Sequence, residues 1–297
     1  MRAAPMLMFL FRLIARLPLA WVHALGGCAG VLVYGLSATY RRRLRANLAQ
    51  AGFDADRLAL ACAREAGKQA LETPWVWLRP AADLRRVLEV ADDAPERAAI
   101  ASGAPVIYLT PHLGCFEICA QYCALTHWGA PRALTALYRI PKQAALRPLV
   151  EYGRTRHGVE LAPANLGGVR QLLRALRQGR AVGILPDQVP SQGDGVWAPL
   201  FGRPAYTMTL PGKLAAATGA QVLFIFGERV RDLGGRGPGY RIRFQALAEP
   251  LTGAPERDAA LVNRELERLI RTCPTQYLWG YNRYKVPAGA APPEATR

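Results

Sequence analysis

The sequence predicts an α/β fold, with a largely parallel central sheet flanked by helices and an N-terminal apolar region that associates with a membrane. Three observations carry this prediction. Beyond about residue 100, short apolar runs alternate with segments of helical periodicity, as when parallel strands are joined by crossover helices. A length of 297 residues, 51% of them hydrophobic and 20% charged, is sufficient to bury a full core. The first acidic residue is Asp54, and two oily stretches precede it. No repeat of solenoid or propeller length recurs along the chain.

The oily stretches are Met6–Phe11 and Leu17–Tyr40; the second runs for 24 residues without Asp, Glu, Lys or Arg. That is long enough to cross a bilayer. Pro18, His23 and several glycines lie within it, and basic residues flank both ends, so no orientation bias emerges. A single span fits these residues as well as a helix pair lying in the interface with arginines on lipid phosphates. A cleaved signal peptide fits worse, because the stretch is too long and ends in Arg41-Arg42-Arg43. Leu58–Leu78 then reads as an amphipathic helix, stopped by Arg79-Pro80.

Pro105–Thr110 (PVIYLT) reads as a buried strand, followed by the turn Pro111–Gly114 and a helix through Cys115, Cys119 and Cys123. Ala133–Tyr138 is expected as a strand, Lys142 to His157 as a helix, Gly168–Gln178 as a helix and Ala181–Leu185 as a strand. Gly193, Gly195 and Gly202 predict a mobile loop. Thr209–Thr218 is expected as a helix, Gln221–Phe226 and Tyr240–Ala246 as strands, and Glu256–Arg271 as a helix. Gly234–Gly239 (GGRGPG) reads as a hairpin connection rather than a phosphate cradle, since no helix follows it. Residues 1–45 are thus expected as the membrane-associating segment, 46–285 as the α/β domain, and 286–297, rich in Pro and Ala, as a disordered tail.

A net charge of +16 favours a polyanionic partner such as an anionic membrane face, an acidic carrier protein or a phosphorylated substrate. The bias is almost wholly arginine, 34 residues against four lysines, which a GC-rich coding sequence also produces. Nucleic acid is disfavoured, because no helix-turn-helix, zinc-finger or RNA-recognition signature is present. The six cysteines form no C-x-x-C pair, so no metal site is expected. The stripe Cys115, Cys119, Cys123 recurs every four residues, the spacing of small core residues on one helix face.

Catalytic groups in open α/β sheets gather beyond the carboxyl ends of strands. His112 stands there, and Glu117 follows five residues later. On one continuous helix, side chains five residues apart point about 140° from each other. The two meet only if His112 lies in a turn before the helix, which Pro111 and Gly114 allow. Histidine suits general-base work near neutral pH, and a carboxylate on its other nitrogen fixes the tautomer. Asp187 also stands just past a strand, where it is expected to orient an arginine or the His112 region, or to cap a turn.

Thr110–Glu117 (TPHLGCFE) resembles the H-x4-D/E signature of glycerolipid acyltransferases. More narrowly, nearly the whole chain resembles the late, secondary acyltransferases of lipid A biosynthesis, the lauroyl and myristoyl transferases. The resemblance is carried by Tyr40–Arg43 with Asn47-Leu48, by Tyr138-Arg139 and Pro141, by Arg154 and Arg156 before Gly158, by Leu185–Gln188, and by Gly195-Val196 with Phe201–Ala205. Gln276–Trp279 with Arg283–Lys285 resembles the closing block, although Tyr281 and Asn282 stand where the family often has His and Arg.

The resemblance implies transfer of a fatty acyl group from an acyl-carrier-protein thioester to a hydroxyl of a lipid A precursor. It implies His112 as general base with Glu117 as its partner, and Arg139, Arg154, Arg156, Asp187 and Gln188 as substrate-binding residues. It further implies a monomer at the cytoplasmic face of the inner membrane, working without metal or organic cofactor. Rival expectations are the same chemistry on a lysophospholipid, ornithine lipid or pigment, and a non-catalytic basic membrane-surface protein. A hydrolase is disfavoured because the chain has no G-x-S-x-G elbow.

Overall fold

Alternate residues of the strand after Pro105 point to opposite faces of a sheet, and both faces are covered. In the computed structural model, which describes residues 3–141, 143 and 146–293, all four residues of β2 (Val106–Leu109) are buried. Ile107 and Leu109 join one core cluster, and Val106 and Tyr108 join the other. A strand buried on both sides reads as a continuous apolar run rather than an alternating one.

β2 pairs in parallel with β5 (Ala181–Ile184) on one side and with β8 (Gln221–Val230) on the other. The full seven-stranded order is β1-β9-β8-β2-β5-β3-β4, where β1 is Leu88–Asp92, β3 is Thr135–Tyr138, β4 is Glu160–Pro163 and β9 is Gly239–Ala246. Only the hairpin of β8 and β9 is antiparallel in this sheet, and Gly234–Gly239 connects it as expected. The predicted helices at 168–178, 209–218 and 256–271 are α9 (Leu166–Arg177), α10 (Leu210–Thr218) and α11 (Pro255–Thr272). Leu172, Leu214 and Leu266 from these three share the core with Ile107 and Leu109.

The other face carries α7 (Phe116–Leu125), whose Cys115, Cys119 and Cys123 stripe is buried among Val106, Tyr108 and Ile225. All three are free thiols, and burial pushes Cys115 and Cys123 well above the usual thiol range. Beside α7 lie α5 (Ala81–Arg86), α6 (Ala94–Ala101) and α8 (Arg147–Arg154). The expected start of α8 at Lys142 lies outside the described residues.

The two oily stretches, Met6–Phe11 and Leu17–Tyr40, fall in α1 (Ala3–Arg16) and α2 (Leu19–Leu36), and the chain turns at Ser37, within the second, into α3 (Ala38–Gln50). The Ser37 hydroxyl accepts from Tyr40 N, 3.3 Å away, and caps α3. Leu44 and Leu48 of α3 are fully buried. The helix α4 (Ala55–Leu78) contributes Ala59, Cys62 and Ala63 to one core cluster and Trp75, Val76 and Trp77 to the other.

Two features differ from the sequence prediction. The edge strands β1 and β4 are short; no residue of β1 and only Ala162 of β4 is buried, so neither carries a long apolar signal. The glycine-containing segment predicted as a loop includes a two-stranded hairpin, β6 (Gly195–Leu200) and β7 (Arg203–Met208). Pro199 sits opposite Pro204 there, a residue type tolerated because each strand of an isolated pair has a free edge that needs no N–H donor.

Candidate active site

His112 and Asp187 meet because of strand register. Leu109 of β2 lies opposite Ile184 of β5, and each functional residue follows its partnered strand residue by three positions. Thr110 N still donates to Ile184 O at 2.9 Å, so the two chains leave the sheet side by side. Asp187 Oδ2 accepts from the His112 backbone N–H at 2.8 Å, and Oδ1 stands 2.8 Å from His112 Nδ1. An acceptor at that distance keeps the proton on Nδ1 and leaves the Nε2 lone pair free to act as a base. Gln188 Nε2 lies 3.3 Å from His112 Nε2, where it can donate to that lone pair, and the Phe116 ring packs against the imidazole with centroids 4.6 Å apart.

The Asp187 carboxyl is buried, which alone would raise its pKa. His112 and the nearby Arg283 more than offset this and hold it below the ordinary carboxylate range.

The turn carrying His112 is pinned from below. Leu278 N donates to His112 O at 3.0 Å, Gly114 N to Gln276 O at 3.1 Å, and Cys115 N to Gly227 O at 2.7 Å. Gly114 has φ +61°, and a Cβ there would stand 2.1 Å from the Gly227 carbonyl oxygen. Only glycine satisfies both conditions. The closing segment therefore builds the site rather than merely ending the chain. The Tyr281 hydroxyl accepts from Val189 N at 3.0 Å, fixing the strand end beyond Asp187 and Gln188. Arg283 is buried and donates to Tyr206 O and Thr207 Oγ1, each at 2.8 Å. Asn47 Nδ2 bonds the carbonyls of Trp279 and Tyr281 at 2.7 and 3.0 Å, which ties α3 to the same segment.

Glu117 is not the residue on the His112 ring; the expected pairing is corrected by the contacts of both side chains. Glu117 lies in the first turn of α7 and faces Arg154 of α8. Arg154 Nε donates to Glu117 Oε2 at 3.1 Å, Nη2 bonds Oε1, and Trp77 Nε1 donates to Oε2 at 2.9 Å. The Arg154 guanidinium also lies over the Trp77 ring, 5.7 Å from its centroid. Burial lowers the Arg154 pKa and the Glu117 charge raises it; the net direction is upward. The resemblance implies the His112–Glu117 contact, but helix geometry turns Glu117 toward α8 while strand adjacency delivers Asp187.

Glu117 lines a cavity that His112 reaches through Phe116, whose ring packs on the imidazole and forms part of the wall. Its volume is about 50 Å³, and its mostly apolar wall includes Phe116, Leu137, Leu185 and Ile225, with Thr110, Glu117 and Arg154 as polar members. Arg139 is exposed beyond β3, and Arg156 lies in a short 3-10 turn, 6.0 Å from the Tyr152 ring centroid. Of the seven residues expected at the site, the contacts join His112 to Asp187 and Gln188, and Glu117 to Arg154; Arg139 and Arg156 stand apart. The sequence reading missed Trp77 and gave no role to Tyr281. Trp77 lies 40 residues from Glu117 and carries no local signal. No group of three metal-ligating side chains occurs among the described residues.

The family model for bacterial lipid A biosynthesis acyltransferases matches residues 4–286. The palmitoleoyltransferase of lipid A biosynthesis from Escherichia coli is 26% identical over 229 residues, 75% of this chain and 69% of its own length. The lauroyltransferase of lipid A biosynthesis from the same organism is 25% identical over 221 residues, 74% and 69% of the two chains. A lipid A biosynthesis acyltransferase of Haemophilus influenzae is 28% identical over 186 residues, 61% and 54% of the two. The chain belongs to the bacterial lipid A biosynthesis acyltransferase family.

Proposed function

We propose that this member of the lipid A biosynthesis acyltransferase family moves a fatty acyl group from an acyl-carrier-protein thioester to a hydroxyl of a lipid A precursor. The site of action is the cytoplasmic face of the inner membrane, and the enzyme acts as a monomer. The observation that carries the reading is the His112–Asp187 pair, with Asp187 buried and the His112 ring packed on Phe116, which lines an apolar cavity. A thioester with a long chain needs both a base and an oily slot.

In the proposed step, His112 Nε2 takes the proton of the acceptor hydroxyl as its oxygen attacks the thioester carbonyl. The new C–O bond forms, the carbonyl oxygen becomes an oxyanion, and collapse breaks the C–S bond. The imidazolium then returns its proton to the departing sulfur, leaving an ester and the carrier thiol. General-base catalysis of this kind contributes on the order of 10²–10⁴ in rate. Asp187 holds the imidazole in the competent tautomer and stabilises the imidazolium, and Gln188 holds the place that the acceptor hydroxyl takes. Glu117 acts through Arg154: it occupies Nε and Nη2 and aims the guanidinium along the cavity wall. There Nη1 can meet an oxyanion or a phosphate. Arg139 and Arg156 add positive charge for the acidic carrier or the acceptor phosphates.

The test is deletion of the gene followed by mass spectrometry of lipid A, with complementation by wild type and by His112→Ala. We expect one secondary acyl chain to vanish, to return with wild type, and to stay absent with the variant. Unchanged lipid A with a change in another membrane lipid would move the assignment to that lipid. Full complementation by His112→Ala would overturn the mechanism.

A further inference from the structure

One described helix, α2, is long and apolar enough to cross a bilayer, yet it is packed as a helix laid along a protein surface. Its inner face is glycine. A Cβ on Gly30 would stand 2.0 Å from the Ala63 carbonyl oxygen, and one on Gly67 would stand 2.1 Å from that of Gly26. Farther along, His23 Nε2 lies 2.9 Å from Glu72 Oε2, and Trp75 Nε1 donates to Leu17 O at 3.0 Å. The contacts pair Gly30 with Ala63, Gly26 with Gly67, His23 with Glu72 and Leu17 with Trp75. Residue numbers fall on one helix as they rise on the other, so α2 runs antiparallel beside α4 for about 20 Å at 1.5 Å per residue.

α4 belongs to both core clusters of the catalytic fold, so α2 is fixed to that fold along its length. The His23 contact is part of the fixing. Glu72 is fully buried and also accepts from Arg229 Nη1 at 2.6 Å and from the Tyr240 hydroxyl at 3.1 Å. Both partners lie on the central sheet. Withdrawing α2 into a bilayer would strip Glu72 of one partner and bare a groove of glycine backbone.

The outer face has the opposite character. Trp21, Leu25, Leu32 and Leu36 of α2 are 64%, 52%, 61% and 79% exposed, and Met6 and Phe9 of α1 are 71% and 69% exposed. Exposed Arg12, Arg16, Arg42 and Arg43 stand in the same region, and no acidic residue occurs before Asp54. An apolar face bordered by arginine alone is complementary to an anionic lipid surface. It adjoins the site as well. Phe11 of α1 packs against Trp77, with centroids 6.4 Å apart, and Trp77 is the residue that bonds Glu117 at the cavity.

We propose that α1 and α2 form one in-plane, monotopic docking face for an anionic bilayer, locked on α4 beside the cavity mouth, and that α2 does not span the membrane. The proposal rests on the membrane-lipid reading above and specifies how that membrane is engaged. Cys28 supplies the test. It is exposed at the middle of α2, in register with Trp21, Leu25 and Leu32, whereas the other five cysteines are buried. The full chain, carrying a nitroxide on Cys28, is bound to vesicles of phosphatidylethanolamine and phosphatidylglycerol, and the depth of the label is measured by electron paramagnetic resonance.

An in-plane helix places the label about 5–10 Å below the headgroups, whereas a span of the roughly 30 Å hydrocarbon core places it near the centre, about 15 Å down. A central position would overturn the in-plane face while leaving the membrane reading intact. A label that stays in water on unbound protein would overturn both. A second variant, Leu25→Asp with Leu32→Asp, alters only exposed positions. We expect at least a tenfold loss of vesicle binding with thermal unfolding unchanged in solution, and undiminished binding would also overturn the proposal.

Discussion

Asp187→Asn separates the orienting role of this residue from its bulk. Asparagine has nearly the same shape, and its amide oxygen can still accept from the His112 backbone N–H, the contact now made at 2.8 Å. Its amide nitrogen must then face Nδ1, where the carboxylate stands at 2.8 Å. Two donors cannot share that contact, so the imidazole proton moves to Nε2 and the base loses its lone pair. If the rate depends on that lone pair, kcat falls by about 10²–10⁴, or about 3–5 kcal/mol in the barrier at 1.36 kcal/mol per tenfold. Loss of the charge-assisted bond costs the fold only about 1.5–3 kcal/mol. The assay is transfer from a radiolabelled acyl-carrier-protein thioester to a lipid A precursor, with KM measured for both substrates and folding followed by circular dichroism. We expect a fall in kcat with KM nearly unchanged, the mark of an interaction made in the transition state. A folded Asp187→Asn enzyme within threefold of wild-type kcat would refute the reasoning.

Three further outcomes follow from the same contacts. Arg154→Ala leaves the Glu117 carboxylate buried with only the Trp77 indole as donor, and should destabilise the protein by about 3 kcal/mol in urea unfolding; Arg154→Lys should recover part of that but not the paired geometry. Gly114→Ala sets a Cβ 2.1 Å from the Gly227 carbonyl at φ +61°, so we expect a loss above about 2 kcal/mol together with most of the activity, whereas Gly179→Ala, whose Cβ would meet open space, should cost about 1–2 kcal/mol for its positive φ and leave activity intact. Asp187 and Glu72 are both held below their ordinary pKa in the folded state. Their contribution is therefore complete above the unfolded carboxyl range near pH 4 and is lost as pH falls through the lower folded values. Urea midpoints between pH 5 and pH 2 should fall less steeply in Asp187→Asn than in wild type.

The sheet was legible where strands are central. β2, β5 and β8 are buried on both faces and show as apolar runs, whereas β1 and β4 are edge strands of five and four residues whose signal is split between core and solvent. The site was half legible. His112 announces itself by standing beyond an apolar run between Pro111 and Gly114, and Asp187 stands at the same kind of position. What the sequence does not contain is the order of strands. Without it nothing says that β5 lies beside β2, and Glu117, five residues away, is the carboxylate that the H-x4-D/E resemblance selects. Tyr281 was unreadable for a related reason, since its hydroxyl acts on Val189 N, 92 residues distant.

Two carboxylates thus belong to the candidate site in different capacities, and a double-mutant cycle distinguishes those capacities. Asp187 touches His112 directly, while Glu117 is bound to Arg154 and Trp77. If Glu117 works by aiming the guanidinium at charge on the substrate, Glu117→Gln weakens stabilisation of the developing oxyanion and leaves the base intact. Its effect on the barrier should then add to that of Asp187→Asn within about 0.5 kcal/mol, as for independent sites. If instead both carboxylates serve the imidazole as one unit, the second substitution should cost little once the first is made, as happens when members of a catalytic triad are removed together. Gross non-additivity in kcat would therefore restore Glu117 to the histidine and contradict the division of roles that these contacts imply.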